Sequence, residues 1–478
     1  MSQPPRAPGH WPLVGHTVSF LRSPLSTLDR WGQTDAPVVS ASVAGRQVVV
    51  VTDPRVARQV LVDASEEYQK AEILRERLGT LQGGSLVLLE GDAWRDRRSV
   101  VGSAFTADRV STVDSVTAAY ADGELADWPT DATVDLQATA RDLTLAVLAR
   151  ALFGLDLRGG DTPIHAAADD VLARLRLDSP STYLPEWVPT PTNRRFRRAV
   201  ATLHARLDET VERQRRSDGS HDGHRARDDH DDHSDRGLLG TLVAAGLPTE
   251  TIRDELIAFL FAGFDSTATA LSCTLGLLAA HPRRQSSLAA AVDRSVGDRS
   301  LADASPIDCE PLDAVVRESL RLYPPQYLLF REPLSDVSLG GAQVTAGTPV
   351  VLAPWLYHRD SRFWDDPETF RPQRWLDGRD GRGSAADDED GDGTAEGRGV
   401  DGGGPGLAGD DRPTAAYVPY GVGPRSCIGR RMADRMLRTA VAAVCRRYRL
   451  TPVDELTVAG GPTLALDGGV SVRVQPRE

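Results

Sequence analysis

The feature that most constrains the fold is an apolar segment that we predict to form one long helix from about Thr251 to His281. Thr251 and Asp254 have the spacing of a capping box at its start, and Pro282 supplies a stop at its end. About 30 residues at about 1.5 Å each give roughly 45 Å, which is long enough to cross a whole domain. The sequence therefore predicts a large, mainly helical core built around this segment.

A polar sequence interrupts this helix near its middle, in the order Ala262, Gly263, Phe264, Asp265, Ser266 and Thr267. An acid followed by hydroxyls inside an apolar helix is costly unless these groups are satisfied. A hydroxyl here can donate to a carbonyl one turn earlier and loosen the helix, which makes space for water or dioxygen. Gly263 leaves room where a flat ligand would press closest. A polar kink in a core helix is the alternative interpretation.

A second constraint is a cysteine in a glycine-rich stretch near the C-terminus, which reads Tyr420, Gly421, Val422, Gly423, Pro424, Arg425, Ser426, Cys427, Ile428 and Gly429. Glycines let the backbone approach a flat ligand and leave N–H groups able to point at one sulfur. A helical pattern follows at once, and a helix N-terminus favours thiolate over thiol. Such a thiolate can be an axial ligand of haem iron. A buried structural cysteine beside a glycine turn is the alternative.

The cysteine stretch resembles the haem-ligand loop of the cytochrome P450 superfamily, whose pattern is Phe-x-x-Gly-x-Arg-x-Cys-x-Gly. Tyr420 stands in place of the leading Phe, which keeps the ring and adds a hydroxyl that needs a partner if buried. The resemblance implies haem b as cofactor and Cys427 as the iron ligand. Around them it places Tyr420, Gly421, Arg425 and Gly429 against the cofactor.

The middle of the long helix resembles the family motif Ala/Gly-Gly-x-Asp/Glu-Thr-Thr/Ser, with Ser266 in place of the first Thr. In the family, the acid and the following alcohol are implied to relay protons during the reduction of dioxygen. Here that role falls to Asp265 with Ser266 or Thr267, while Ala262 and Gly263 would contact the haem. Serine lacks the methyl group that restricts the threonine rotamer, so this relay is expected to be less rigid.

Arginines elsewhere match the family's anchors for the haem propionates. Trp94 and Arg98 fit its Trp-x-x-x-Arg pattern, one helical turn apart, and Arg331 and Arg425 align with the other two positions. An arginine binds a carboxylate through paired N–H donors, which suits this role. For the neighbouring Arg95 and Arg97, a solvated basic face is the alternative.

Two further segments resemble structural elements of the family. Glu318 and Arg321 can pair on one helix face, and the resemblance adds Arg374 to give a buried, non-catalytic network. His358 falls on a structural turn, and no chemistry is assigned to it.

The resemblance spans the chain and implies one cytochrome P450 domain over residues 1–478, mainly α with a smaller β region. In that fold a long central helix lies over the haem and the cysteine loop lies beneath it. The residues predict a β-hairpin over Val38–Val51, a helix opened by Asp53, and a loop over a pocket at 66–91. Asp- and Gly-rich tracts at 217–236 and 378–412 are predicted to be disordered surface insertions.

Composition limits the compartment and the partners. The net charge of −13 argues against nucleic acid, and four cysteines without a pairing pattern indicate a reducing compartment. No apolar run is long enough for a membrane span, so we expect a soluble, cytoplasmic protein of the prokaryotic type. Lys70 is the only lysine, which fits either salt adaptation or a GC-rich coding sequence.

The implied reaction is insertion of one atom of O2 into a small apolar organic substrate, by hydroxylation or epoxidation. Residues 428–478 are too few for a fused flavin reductase, so we expect electrons from a separate ferredoxin or flavodoxin with its reductase. Arg430, Arg431 and Arg435 are candidates for docking an acidic donor. The alternatives are a peroxide-driven or electron-independent haem-thiolate enzyme, which would not need the acid and alcohol, and a non-catalytic haem-binding sensor.

Overall fold

The computed structural model describes residues 2–126, 128–158, 162–175, 184–221, 237–376 and 414–477. The chain forms two compact units, each built from two segments. The sheet unit comprises Met1–Ala71 and Glu310–Cys427, and the helical unit comprises Glu72–Cys309 and Ile428–Glu478. Helices dominate the described residues, as the sequence predicts, and strands form the smaller part.

The sheet unit holds five α-helices and seven strands in its described residues. Its helices are α1 (Thr17–Arg22), α2 (Pro24–Gly32), α3 (Pro54–Arg58), α13 (Glu310–Leu322) and α14 (Pro354–Tyr357). Its strands are β1 (Val38–Val43), β2 (Arg46–Val51), β3 (Tyr68–Gln69), β5 (Leu329–Pro333), β6 (Val337–Leu339), β7 (Ala342–Val344) and β8 (Val350–Leu352). Five of these strands form one sheet in the order β1-β2-β8-β5-β3, and β6 pairs with β7.

The helical unit holds ten α-helices and five short strands in its described residues. Its helices are α4 (Glu72–Gln82), α5 (Gly91–Gly102), α6 (Ala107–Ala126), α7 (Leu136–Phe153), α8 (Pro163–Leu175), α9 (Pro191–His221), α10 (Leu238–Ala244), α11 (Thr249–Ala280), α12 (Pro282–Val296) and α15 (Arg430–Arg447). Its strands are β4 (Thr133–Asp135), β9 (Tyr448–Pro452), β10 (Val458–Gly460), β11 (Leu464–Leu466) and β12 (Ser471–Pro476).

The predicted hairpin is confirmed. Strands β1 and β2 pair antiparallel, with Val38 opposite Val51, and the turn lies at Ala44 and Gly45, both with positive φ. This backbone matches the right-handed twist of the strands it joins. The helix opened by Asp53 is also confirmed, because the Asp53 carboxylate accepts from the Arg55 N–H at 2.7 Å and caps α3.

The long helix exists as α11, with 32 residues and therefore a length of about 48 Å. Its end before Pro282 is confirmed, but the predicted capping box is wrong. Helix α11 begins at Thr249, directly after Pro248, and the Asp254 carboxylate instead accepts from the Gly84 N–H at 3.1 Å. By length and composition α11 could cross a membrane, yet 72% of its apolar window is buried inside the protein, as in a core helix.

The prediction of a loop over 66–91 is wrong in its central part, where α4 forms. Gly79 and the absence of a clear apolar period hide this helix in the sequence. It is held by tertiary packing against α11, with Leu81 and Gln82 buried. Of the two predicted insertions, residues 222–236 and 378–412 lie outside the described residues, and the preceding segment 217–221 belongs to the last turns of α9.

Candidate active site

The glycine-rich stretch around Cys427 forms a closed turn in the sheet unit. The Cys427 N–H donates to the Tyr420 carbonyl at 2.9 Å, and the Ser426 N–H donates to the Gly423 carbonyl at 3.0 Å. Gly423 has a φ of 77°, and a Cβ there would lie 2.0 Å from the Leu61 carbonyl oxygen. Only glycine therefore lets this backbone pack so closely, and the turn holds Cys427 at a fixed place.

Cys427 differs from the other three cysteines in its exposure. It is exposed, whereas Cys273, Cys309 and Cys445 are buried. Burial raises the pKa of the Cys273 thiol and raises the pKa of Cys445 to about 12, so both stay protonated. Helix α15 begins at Arg430, shortly after Cys427, with Gly429 as its N-cap. The exposed thiol thus sits just ahead of a helix N-terminus, where thiolate is favoured.

The predicted propionate anchors fall on regular elements or on the cysteine turn. Trp94 and Arg98 lie on α5, and the Arg98 guanidinium carbon lies 5.6 Å from the centre of the Trp94 ring, as the one-turn spacing predicts. Arg331 is buried on β5 opposite Val350 of β8. Arg425 is half-buried in the turn that carries Cys427. Each side chain therefore comes from a fixed piece of backbone.

The polar groups at the centre of α11 are hydrogen-bonded, and the predicted bond from a hydroxyl to a carbonyl one turn earlier is confirmed. The Ser266 hydroxyl donates to the Ala262 carbonyl, one turn earlier, at 2.7 Å. The Asp265 carboxylate accepts from the Thr463 hydroxyl at 2.8 Å. Burial raises the pKa of Asp265, and the Thr463 hydrogen bond with the charge of Arg141 offsets part of that rise. Asp265 therefore holds a proton at higher pH than an ordinary aspartate.

Thr463 is a site residue that sequence reasoning missed. It lies in the turn between β10 and β11, 198 residues from the acid it contacts, so no local pattern signals it. Gly263 has a packing function that was also missed. A Cβ at Gly263 would lie 2.9 Å from the Leu148 side chain, so glycine lets α7 pack against α11. Its predicted contact with a cofactor stays a prediction.

Comparison with known proteins decides the family. A family model described as Cytochrome P450 matches residues 4–463. The chain belongs to the cytochrome P450 family. It is 28% identical to cyclooctat-9-en-7-ol 5-monooxygenase of Streptomyces melanosporofaciens, over 95% of this chain and 90% of the relative. It is 26% identical to pentalenene oxygenase of Streptomyces avermitilis, over 93% of this chain and 91% of that relative.

A solved structure of the same family supports the fold. The crystal structure of CYP175A1 from Thermus thermophillus matches with a TM-score of 0.71 and 24% sequence identity, over 96% of this chain and 97% of that chain. The present chain is therefore a haem-thiolate monooxygenase that uses haem b. Its reaction takes an organic substrate, dioxygen and electrons from a redox partner. The residues present fit the haem, because the exposed one of the four cysteines is the one in the tight glycine turn.

The predicted Glu-Arg-Arg network of the P450 is confirmed in the sheet unit. Glu318, Arg321 and Arg374 are almost completely buried, and Glu318 bonds Arg321 at 3.0 Å and Arg374 at 3.1 Å. The Arg371 N–H and the Trp375 indole N–H also donate to Glu318, both at 2.9 Å. Burial by itself would raise the pKa of Glu318, but these donors outweigh it and the pKa is lowered. The network is structural, as the sequence predicts.

His358 is a buried structural residue, in agreement with its placement on a turn. Its Nε2 accepts from the Val418 N–H at 2.8 Å, so its Nδ1–H donates to the Arg321 carbonyl at 3.2 Å. Burial, together with the charges of Arg321 and Arg359, lowers its pKa to about 3. The imidazole is therefore neutral and ties two segments of the sheet unit together.

Glu255 is a second buried acid, and sequence reasoning missed it. It lies on α11 and is completely buried, and its Oε1 accepts from Arg97 at 2.8 Å and from the Leu86 N–H at 2.8 Å. Burial raises its pKa, although the hydrogen bonds and the charge of Arg97 act against this rise. The solvated alternative for Arg97 is wrong, since only 17% of its side chain is exposed and it pairs with Glu255. Its neighbour Arg95 is exposed and pairs with Asp92.

Arg435, one of the three arginines predicted to dock the electron donor, binds a buried carboxylate of this chain. It forms an ion pair with the buried Asp114, which also accepts from the Thr439 hydroxyl at 3.2 Å. Arg435 was therefore wrong as a docking candidate, because leaving Asp114 buried and unpaired would be costly. Arg430 pairs with Asp434 on the surface of α15, and Arg431 is exposed.

Proposed function

We propose that Cys427 is the thiolate ligand of the haem iron, and that the enzyme oxidises a small apolar organic substrate by hydroxylation or epoxidation. The observation that carries the assignment is the exposure of Cys427 in a glycine turn while the other cysteines are buried. The family motif, matched here except at Tyr420, supports it. When bound, the haem supplies the oxidising chemistry, and a thiolate ligand favours O–O bond cleavage.

Other residues of this chain hold the cofactor in the proposal. Trp94, Arg98, Arg331 and Arg425 would donate to the haem propionates, because guanidinium and indole N–H groups match carboxylate oxygens. Tyr420, Gly421 and Gly429 shape the turn around the sulfur. Ala262 and Gly263, with little or no side chain, would contact the haem through the backbone of α11.

In this proposal Asp265, with Ser266 or Thr267, would hold and pass on the protons that the reaction consumes. The raised pKa of Asp265 supports the role, because the carboxyl group can hold and release a proton closer to neutral pH. The Ser266 hydroxyl donates to Ala262, which leaves its oxygen able to accept a hydrogen bond from water. Thr267, the second alcohol of the motif, is buried.

The electron donor in this proposal is a separate ferredoxin or flavodoxin with its reductase. We propose that the exposed Arg431 on α15, together with Arg430 beside its partner Asp434, docks this donor. We also propose that residues 1–478 form one functional P450 domain and that the enzyme works in the cytoplasm. Charge reversal of Arg431 should slow reduction by an acidic donor, and unchanged reduction kinetics would reject that docking surface.

The carbon-monoxide difference spectrum of the reduced protein tests the ligand assignment. We expect the band of a thiolate-ligated haem in the wild type and in Cys309→Ala, and its loss in Cys427→Ala. An imidazole-like band in the wild type would reject the assignment. Turnover with a ferredoxin or flavodoxin system, compared with turnover on peroxide alone, then separates the monooxygenase from the peroxide-driven alternative.

A further inference from the structure

A tight loop near the start of the sheet unit holds apolar side chains in solvent. Trp11 and Gly15 exchange two backbone hydrogen bonds of 2.9 Å, which close the loop. Trp11 is 65% exposed, Leu13 is fully exposed, and Val14 and Val18 are each more than two-fifths exposed. Among the described residues, these four form the densest run of exposed large apolar side chains in the sequence.

The base of this loop is fixed, so the exposure of its tip is not fraying. A Cβ at Gly15 would lie 2.6 Å from the carbonyl oxygen of Ser42 on β1, and the His16 N–H donates to that carbonyl at 2.7 Å. The buried His16 ring accepts from the Ser42 N–H at 3.1 Å and donates to the Ala7 carbonyl at 2.9 Å. The loop therefore presents its apolar tip from a rigid support.

Leu13 at the tip has an unfavourable backbone conformation, and its apolar side chain is fully exposed to solvent. Its φ is 70°, in the left-handed region that Gly, Asn and Asp adopt with less strain. Its side chain gains no burial against the described residues. Folding alone would favour glycine or asparagine at this position, so the apolar side chain is better explained by a surface that covers it.

The local charge indicates the kind of surface. The whole chain has a net charge of −13, yet the sequence before Asp29 contains Arg6 and Arg22 and no acidic residue. Both arginines are exposed. A second copy of this chain that met this loop with its own loop would bring like charges together. An anionic lipid surface offers both phosphate groups and an apolar layer beneath them.

We propose that the loop of residues 11–15, with Val18 behind it, docks on the surface of an anionic membrane. Trp11 lies at the headgroup level, where amphipathic rings are favoured, and Leu13 and Val14 enter the upper acyl region. Arg6 and Arg22 contact lipid phosphates. The apolar area is small, so the attachment is peripheral and reversible.

Flotation of the purified protein with vesicles tests the proposal. We expect binding to phosphatidylcholine vesicles that contain phosphatidylglycerol, and weaker binding to pure phosphatidylcholine. Leu13→Asn should lower partitioning about tenfold, and Arg22→Gln should lower it about fivefold on the anionic vesicles only. Asparagine tolerates the left-handed backbone, so Leu13→Asn should unfold no earlier than the wild type and cannot act through misfolding.

The matched control is Leu334→Asn, which removes a leucine of the same unit that is 57% exposed and far from the loop in sequence. It should leave vesicle binding unchanged. The proposal is overturned if the wild type does not float, or if Leu13→Asn floats as well as the wild type. A vesicle-independent dimer that Leu13→Asn dissociates would identify a second copy as the occupant and would also reject the membrane.

Discussion

Glu318 in the sheet unit and Glu255 in the helical unit are both fully buried glutamates beside arginine, but they differ in how completely they are satisfied. Both oxygens of Glu318 accept hydrogen bonds, from Arg321, Arg374, the Arg371 backbone and the Trp375 indole. Glu255 accepts two, both at Oε1, and its Oε2 has no hydrogen-bond partner in the described part of the chain.

This difference reverses the direction of the pKa shift. Burial raises the pKa of both carboxyl groups, and donors lower it. At Glu318 the donors win and the pKa is lowered, whereas at Glu255 burial wins and the pKa is raised. A buried carboxylate is thus kept charged by the number of its donors, and the presence of one arginine is not sufficient.

The largest effect is expected from Glu318→Ala. The change leaves Arg321 and Arg374 buried without their carboxylate, and breaking a buried pair in this way costs about 3 to 5 kcal/mol. We expect a large loss of thermal stability and of haem incorporation, measured by denaturation and by the haem-to-protein ratio. Glu310→Ala is the control, because Glu310 is exposed at the start of the same helix. Equal stability of the two variants would show that the Glu318 network contributes little.

The two networks also differ in how much of each could be predicted from sequence. Glu318 and Arg321 are three residues apart on one helix, and Arg374 lies in a second motif of the family. The family pattern therefore predicts this network. The Arg97 partner of Glu255 is 158 residues away, and its second donor is the backbone of Leu86, which no side-chain pattern records.

The candidate site shows the same division. The turn of Cys427, the back-bonded Ser266 and the pair Trp94 and Arg98 follow from local spacing, and the structure has them as predicted. Thr463 lies in a hairpin turn that is distant in sequence from Asp265, so its contact with that acid could not be predicted. Helix α4 was missed for a related reason, since its stability comes from packing on α11 and its own sequence has a weak helical pattern.

A sharper test compares Glu318→Gln with Glu255→Gln across pH. Because the folded pKa of Glu318 is lowered, its contribution to the free energy of unfolding is present above its unfolded pKa and is lost as pH falls through the folded pKa. Because the pKa of Glu255 is raised, its contribution is present below the unfolded pKa and is lost as pH rises through the folded pKa.

Urea unfolding at a series of pH values from about 2 to 7 measures both differences, because the change at Glu318 falls below the ordinary glutamate pKa and the change at Glu255 falls above it. From acid toward neutral pH, the cost of Glu318→Gln should grow, while the cost of Glu255→Gln should shrink. At neutral pH we expect about 2 to 3 kcal/mol for Glu318→Gln and about 1 kcal/mol for Glu255→Gln. Two costs that change with pH in the same direction would contradict the opposite pKa shifts.

Asp265 extends the comparison to an acid that accepts from the hydroxyl of Thr463, and Thr463→Val removes that donor at nearly constant size. The Thr463 hydrogen bond lowers the pKa of Asp265 against the effect of burial, so its loss should raise this pKa further. The raised carboxyl pKa is measurable by infrared titration of the protonated carboxyl band, with Asp265→Asn as the reference spectrum. The expected loss of stability is about 1 kcal/mol, and it should be greatest above the folded pKa, where the hydrogen bond is made to a charged group.

Thr457→Val is the matched control for this last change. Thr457 belongs to the same hairpin region, and its hydroxyl donates to the Asp467 carbonyl at 2.9 Å, away from Asp265. The control should cost a similar or smaller amount of stability and should leave the Asp265 band where it is in the wild type. If Thr463→Val also leaves the band unmoved, the hydroxyl does not tune the acid, and burial opposed by the charge of Arg141 would then set the pKa of Asp265.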